Sequence, residues 1–527
     1  MPPMQLFELM IATLLAVIAL HFAARKLRLP PAVALIAGGA LLAFTPGLPV
    51  IALDPGLVLV IFLPPLLMDG AWFISFAQLL KHKVGVVSLA VGAVLFTTVA
   101  VALVTHALLP SLPWAACAAL GAIVSPPDAV SARAILQTVK IPRRLSILLE
   151  GESLLNDASG LVLFRFAIAA GVTGAFNAGE AVGSFLMLAL GGAAVGVAVA
   201  AAWVLLVKRL GDEYLMIAAS VLTAWSAYLL GEMLHVSGVI ATVTAGLICG
   251  WYQHTVFNAA VRMRGTSFWT VMIFLMEAMV FMLIGSSLRG VVERVGGFGV
   301  VWQQMAAPIG LILLALTVAR FVWIFGTDAI SHVFSRLGFK GTTPLGWRCD
   351  AVLSWAGMRG VVTLAVALSV PEGFPGRDFI LMTAFAVILG TVLIQGMTLG
   401  RLIAWAGLTE AESDKARLNM SEAELAMAVA QFDVVQKHAY GPNGELIHPR
   451  LFDRYHRKAT MMPDYIAKED EFRPMLYAHY NLVLKAVAAG RAELIRLHRS
   501  GDIDEETLHE LERDLDLEEL GAISAMA

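Results

Sequence analysis

Hydrophobic and polar positions follow two regimes along this chain, and the change falls near Leu408. Before it, apolar stretches of about 20 residues recur, the length at which a helix crosses about 30 Å of hydrocarbon. There are thirteen of them, near 4–24, 31–50, 55–75, 84–109, 114–138, 145–171, 181–206, 214–233, 237–255, 268–288, 300–328, 350–370 and 378–405. After it, apolar residues are spaced among charges at helical intervals. Helical stretches are expected from Thr409 to about Ala439, from about Arg473 to His498, and from Asp504 to Leu520, with a turn at Gly441-Pro-Asn-Gly444. The pattern predicts an all-α polytopic membrane protein, with residues 1–408 as the transmembrane domain and 409–527 as a helical cytoplasmic tail.

Composition supports the bilayer reading. Hydrophobic residues make up 58% of the chain and charged residues 15%, with a mean hydropathy of +0.78, whereas soluble domains carry roughly 25% charged residues. Disorder, nucleic-acid binding and a disulfide-stapled secreted fold are excluded as global readings. The three cysteines, Cys117, Cys249 and Cys349, suggest no bridging pattern. The first 408 residues hold 23 basic and 17 acidic side chains, and the remainder holds 14 and 23. The first apolar stretch has no basic residue before it and carries Glu8, so it reads as a span and not as a cleavable signal.

Basic loops stay cytoplasmic. Counting alternate loops from Arg25, Lys26 and Arg28 places fifteen basic residues on one side and only Arg289, Arg294 and Arg377 on the other. The N-terminus is therefore expected outside and the tail inside, in a plasma membrane, with a bacterial inner membrane as the expected setting.

A charge at the centre of a span costs at least about 2.5 kcal/mol, so each one requires a reason. The spans hold Asp69, Asp128, Arg133, Glu152, Asp157, Arg165, Glu277, Arg320 and Arg359. Structural ion pairing is the plain reading for Arg165 and Arg320, and Glu277 is also read as structural. Spans 5 and 12 differ, because their backbones must be irregular. In Ser125-Pro126-Pro127-Asp128 two prolines remove helical donors and break the helix. Trp355-Ala-Gly357-Met-Arg359-Gly360 is a second, glycine-flanked weak point. One interrupted helix in each half of a chain points to inverted repeats with an ion site between them. Span 6 adds Glu152-Ser153-Leu-Leu-Asn156-Asp157, where Ser153 and Asp157 stack one turn apart. Hard cations take oxygen ligands, which Asp157, Ser153 and Asp128 supply. A carboxylate removed from water favours its protonated form, so Asp157 is expected to hold a proton and surrender it to an arriving cation. Glu152 is then left for an internal pair, with Arg359 as its natural partner.

Three strings, Phe62-Leu-Pro64-Pro65-Leu-Leu-Met-Asp69-Gly-Ala, Ser125-Pro-Pro-Asp128-Ala-Val and Gly151-Glu152-Ser153-Leu-Leu-Asn156-Asp157-Ala, resemble the monovalent cation:proton antiporter superfamily. The Asn156-Asp157 pair and Gly357-Met-Arg359-Gly360 look most like its electroneutral sodium/proton exchanger branch. The resemblance covers the membrane domain and not the tail. It implies that Asp157 exchanges cation and proton, that Ser153, Asp128, Asp69 and Asn156 lie at or near the ion, and that Glu152 and Arg359 form a structural pair. It also implies a homodimer in which spans 4–6 and 11–13 move against spans 1–3 and 7–10. Na⁺ would be the cargo, with K⁺ or Li⁺ as alternatives, and no cofactor is implied. The commoner crossing-helix order in the superfamily is Thr-Asp-Pro, whereas this chain has Pro126-Pro127-Asp128-Ala129 and lacks that threonine. Because Asn156 cannot titrate, one proton per monovalent cation and electroneutral transport are expected, serving pH and sodium homeostasis.

Other classes fit less well. A channel would want a repeated filter-like loop, an intramembrane aspartyl protease a Gly-x-Gly-Asp string, and an organic-anion carrier basic groups at its broken helices. The first two are absent from the sequence, and the site carries an acidic excess, with Asp69, Asp128, Glu152 and Asp157 facing Arg359. The tail carries six histidines, read as scattered surface residues with a pH-sensing role as the alternative. No partner for the tail can be named.

Overall fold

The computed structural model describes residues 3–27, 29–45, 55–128, 141–174, 178–337, 344–408, 420–441, 443–467, 469–500 and 502–526. Among them the regular elements are all helical, and the only strand-like contact is a bridge between Tyr440 and Leu446. The chain divides into two compact units, Met1–Ala411 and Glu412–Ala527.

The first unit begins with α1 (Pro3–Leu27), α2 (Pro31–Ala43), α3 (Pro55–Phe73) and a short α4 (Phe76–Lys81). It continues with α5 (Lys83–Leu108), α6 (Trp114–Val124), α7 (Arg143–Thr173), α8 (Ala178–Val207), α9 (Glu213–Met233) and α10 (Gly238–Val256). It closes with α11 (Ala259–Val295), α12 (Phe298–Arg336), α13 (Trp347–Trp355), α14 (Val361–Leu368) and α15 (Arg377–Ala406). Among the described residues, seven helices are long and apolar enough to cross a bilayer unaided. The second half of the fifth apolar stretch, with Arg133, lies outside the described residues.

Helix starts follow from local chemistry. Asp212, Ser237 and Asn258 accept hydrogen bonds from the backbone N–H groups of Leu215, Ile240 and Val261, which caps α9, α10 and α11. α11 is longer than its apolar stretch, 268–288, because polar ends extend it. Those ends are held by Arg264–Glu213 and Arg289–Glu293 ion pairs, and Gly296 stops the helix in the left-handed conformation that glycine adopts without strain.

Two bundles form. In one, α2 lies against α11 so closely that a Cβ on Gly39 would overlap the Met282 carbonyl and one on Gly285 the Ile36 carbonyl. Small residues permit such approach where lipid provides no hydrophobic drive between helices. α8 and α3 pack on α10 by the same device, at Gly196 and Gly250. In the other bundle, α5, α6, α7, α12 and α15 enclose a core that includes Leu120, Ile123, Phe164, Ile312, Leu316 and Ile380. The bundles meet where Leu63, Leu67 and Ala71 of α3 pack against Leu154 and Ala158 of α7.

The second unit is built from α16 (Met420–His438), α17 (Pro449–Ala467), α18 (Glu469–Ser500) and α19 (Glu505–Met526). Phe432 and Phe452 stack edge to face, joining α16 to α17. Arg491 bonds Asp516 and Glu519, joining α18 to α19. α17 is absent from the sequence reading. Its apolar residues are few and it contains Pro463, yet Pro449 at its first turn is pre-set for a helix and the Phe432 contact supplies the packing.

Candidate functional site

α6 ends at Val124, and Ser125 to Asp128 leave the helix, as two successive prolines require. α13 ends at Trp355, and the chain is irregular until α14 begins at Val361. The two breaks meet directly, because the backbone N–H of Asp128 donates to the Met358 carbonyl over 2.7 Å. α7 crosses beside them at Gly160, where a Cβ would overlap the Pro126 ring.

A broken helix exposes carbonyls at one end and N–H groups at the other. At the end of α6, Arg359 Nε donates to the Val124 carbonyl (2.8 Å) and Nη2 to the Ser125 carbonyl (3.0 Å). Nη1 also bonds the Gly357 carbonyl. The arginine thereby places its positive charge at the negative end of the half-helix. At the start of α14 the opposite arrangement holds. The Asp128 carboxylate packs over Gly360, so closely that a Cβ there would overlap it, and an acidic group favours a helix N-terminus. The backbone N–H of Arg359 donates to Thr391 Oγ1, which lies in a widened, π-type turn of α15.

α7 carries the remaining groups. Asp157 is buried and lies near enough to Asp128 for the two charges to repel when both are ionised. Asn156 is fully buried, and its Nδ2 donates to the Pro127 carbonyl over 2.6 Å. Its Oδ1 makes no hydrogen bond among the described residues. The amide therefore clamps the break. Ser153 is half-buried one turn before Asp157. Asp69 is buried on α3, the helix that packs against α7.

One expectation is corrected. Glu152 does not pair with Arg359; its carboxylate receives both terminal nitrogens of Arg320, at 2.5 and 2.8 Å, with both residues buried. Arg320 also donates to the Leu353 carbonyl at 3.1 Å. The reason is competition for donors: the carbonyls freed at the end of α6 occupy Arg359, and Arg320 on α12 is the arginine left to neutralise Glu152. Arg165 is paired as well, with Glu232 at 3.1 Å, but half-exposed. The sequence showed Arg320 as a charge inside a span and gave no sign of its partner. Thr98, whose hydroxyl donates to Ser125 Oγ over 3.1 Å, was missed because an uncharged threonine in a span carries no signal.

Around the crossing, buried carboxylates, an amide oxygen and freed backbone carbonyls offer oxygen atoms to a hard cation. Asp128, Asp157 and Arg359 together carry one net negative charge when both acids are ionised, and Asp69 on α3 is a further buried acid.

Known proteins carry the same architecture. Residues 10–405 match the family described as sodium/hydrogen exchanger, transmembrane. An uncharacterised Na⁺/H⁺ exchanger of Mycobacterium tuberculosis is 30% identical over 528 residues, covering 97% of this chain and 95% of that one. A sodium, potassium, lithium and rubidium/H⁺ antiporter of Bacillus subtilis is 33% identical over 361 residues, 66% of this chain and 54% of its own. In fold, the chain is similar to the sodium proton antiporter MjNhaP1 from Methanocaldococcus jannaschii, with a TM-score of 0.59 at 21% identity over 76% of this chain and 98% of that one. The chain belongs to the sodium/hydrogen exchanger family: it is a multi-pass membrane transporter that exchanges cations for protons, and not an enzyme.

Proposed function

We propose that Asp157 is the group that alternately holds Na⁺ and a proton, and that one proton is exchanged per cation. The observation that carries this reading is the burial of Asp157 beside two broken helices whose ends are already compensated by Arg359 and Asp128. With those charges committed, Asp157 is the carboxylate left to change partners. Asn156 holds the Pro127 carbonyl and cannot titrate, so loaded and protonated sites carry equal charge if Asp128 and Asp69 keep a fixed state. Transport is then electroneutral. Asp128, Ser153 and Asp69 are proposed to complete the cation's oxygen shell, with the Asn156 Oδ1 within the same group.

The two-bundle packing is consistent with alternating access in which the bundle that holds the crossing moves against the one built on α2, α10 and α11. We further read the protein as a homodimer in a plasma membrane, N-terminus outside and tail unit inside, maintaining pH and sodium balance. K⁺ and Li⁺ are the competing cargoes, since the Bacillus subtilis relative is a sodium, potassium, lithium and rubidium/H⁺ antiporter. Purified protein in liposomes, with the voltage clamped by a potassium ionophore, tests the stoichiometry. Sodium-driven proton flux should be unchanged by voltage, and a steep voltage dependence would show that a second carboxylate carries a proton.

A further inference from the structure

A second group of acids lies apart from the crossing, at the end of the bundle where α7, α12 and α13 meet. Asp350, in the first turn of α13, is 1% exposed. Its Oδ1 is buried and receives no hydrogen bond from any protein donor among the described residues. Its side chain reaches Asp328 of α12 within hydrogen-bonding range, and Arg144 of α7 is the basic group that acts on it. The third helix packed on α13, α15, brings Leu399 and Ile403, and its one charge there, Arg401, is exposed.

Two ionised carboxylates are both acceptors and cannot hydrogen-bond each other; one must carry a proton to donate. We propose that Asp350 holds a proton and donates it in a hydrogen bond to Asp328, forming a second proton-holding site that is separate from the exchange carboxylate. With the proton in place, the remaining negative charge is balanced by Arg144, and a buried cluster of two acids and one base is neutral. Without it, a net negative charge sits on a side chain buried from solvent, which is costly.

The site also holds residues 344–346, which lead into α13. Asp328 Oδ1 accepts from the Leu345 N–H over 2.7 Å, and Arg144 donates to the Pro344 carbonyl over 3.2 Å. The Asp350 N–H donates to the Gly346 carbonyl over 3.0 Å. The shared proton therefore joins the helix that carries Arg320 to the half-helix that leads into the Gly357–Gly360 break. This inference stands independently of the role given to Asp157.

The test uses the full chain in detergent, in an Asp157→Asn background that removes titration of the exchange carboxylate. Infrared difference spectra between acid and alkaline buffer should show loss of a protonated-carboxyl band, and the band should be absent in Asp350→Asn and in Asp328→Asn. An amide at position 350 still donates to Asp328, so the variant should fold. In the otherwise wild-type chain, Asp350→Asn should retain sodium-driven exchange. An unchanged band in both variants would overturn the shared proton. Loss of exchange in a folded Asp350→Asn protein would overturn its separation from the transport site.

Discussion

Neutralising Glu152 should destabilise the protein far more than it weakens cation binding. In Glu152→Gln, the Arg320 guanidinium stays buried, with the Leu353 carbonyl and a neutral amide in place of a two-pronged carboxylate. Breaking one side of a buried pair costs about 3–5 kcal/mol. A second positive charge, Arg359, acts on the same region, and Glu152 partly offsets it, which places the expected cost toward the upper end. Unfolding entropy of about 2.1 cal/mol/K per residue, taken over the roughly 400 residues of the membrane unit, converts 1 kcal/mol into a little over 1 °C. The unfolding temperature should therefore fall by about 4–6 °C, nearer the larger value, read by thermal unfolding in detergent. The double variant Glu152→Gln with Arg320→Met leaves no buried unpaired charge at this pair and should recover most of the loss. If Glu152→Gln keeps wild-type stability but needs far more Na⁺ for half-maximal exchange, Glu152 touches the ion and the pairing argument fails.

Further expectations concern the crossing. Arg359→Gln should strip the charge from the end of α6 while leaving Glu152–Arg320 intact, at a cost of about 1.5–3 kcal/mol for each charged hydrogen bond lost; the same melting assay reads it. Asn156→Ala removes the clamp on the Pro127 carbonyl and should cost about 1–3 kcal/mol, with exchange reduced and still voltage-independent in liposomes. Gly360→Ala adds a methyl group where the Asp128 carboxylate lies. Overpacking of about 1–3 kcal/mol should appear in melting together with loss of exchange, whereas the same substitution at Gly326, which meets nothing within 4 Å, should change neither.

The sequence makes the breaks legible because they are backbone events. Pro126-Pro127 removes donors wherever the helix sits, and the glycines at 357 and 360 leave room for a close crossing in any packing. Asp128 and Asp157 could be singled out because a charge in an apolar span needs a cause. The partner of Glu152 could not be read, since Arg320 and Arg359 are equally charged and equally placed in apolar stretches. Only the relative register of α7, α12 and α13 shows that the freed carbonyls of α6 occupy one arginine and leave the other for the glutamate. Asp328 and Asp350 were hidden for a different reason. They sit at the ends of apolar stretches, where a charge looks like an ordinary loop residue, and their proximity is a tertiary fact. In the tail unit, α17 escaped notice because its helical order depends on the aromatic contact with α16.

Asp157→Asn in sealed liposomes tests the central claim most directly. The asparagine keeps the shape of the side chain but can neither bind a proton nor balance a cation. With an imposed Na⁺ gradient, proton flux should vanish while yield, melting temperature and oligomeric state stay near wild type. Proton flux at wild-type rate from a folded Asp157→Asn protein would contradict the account and move the exchange to another carboxylate.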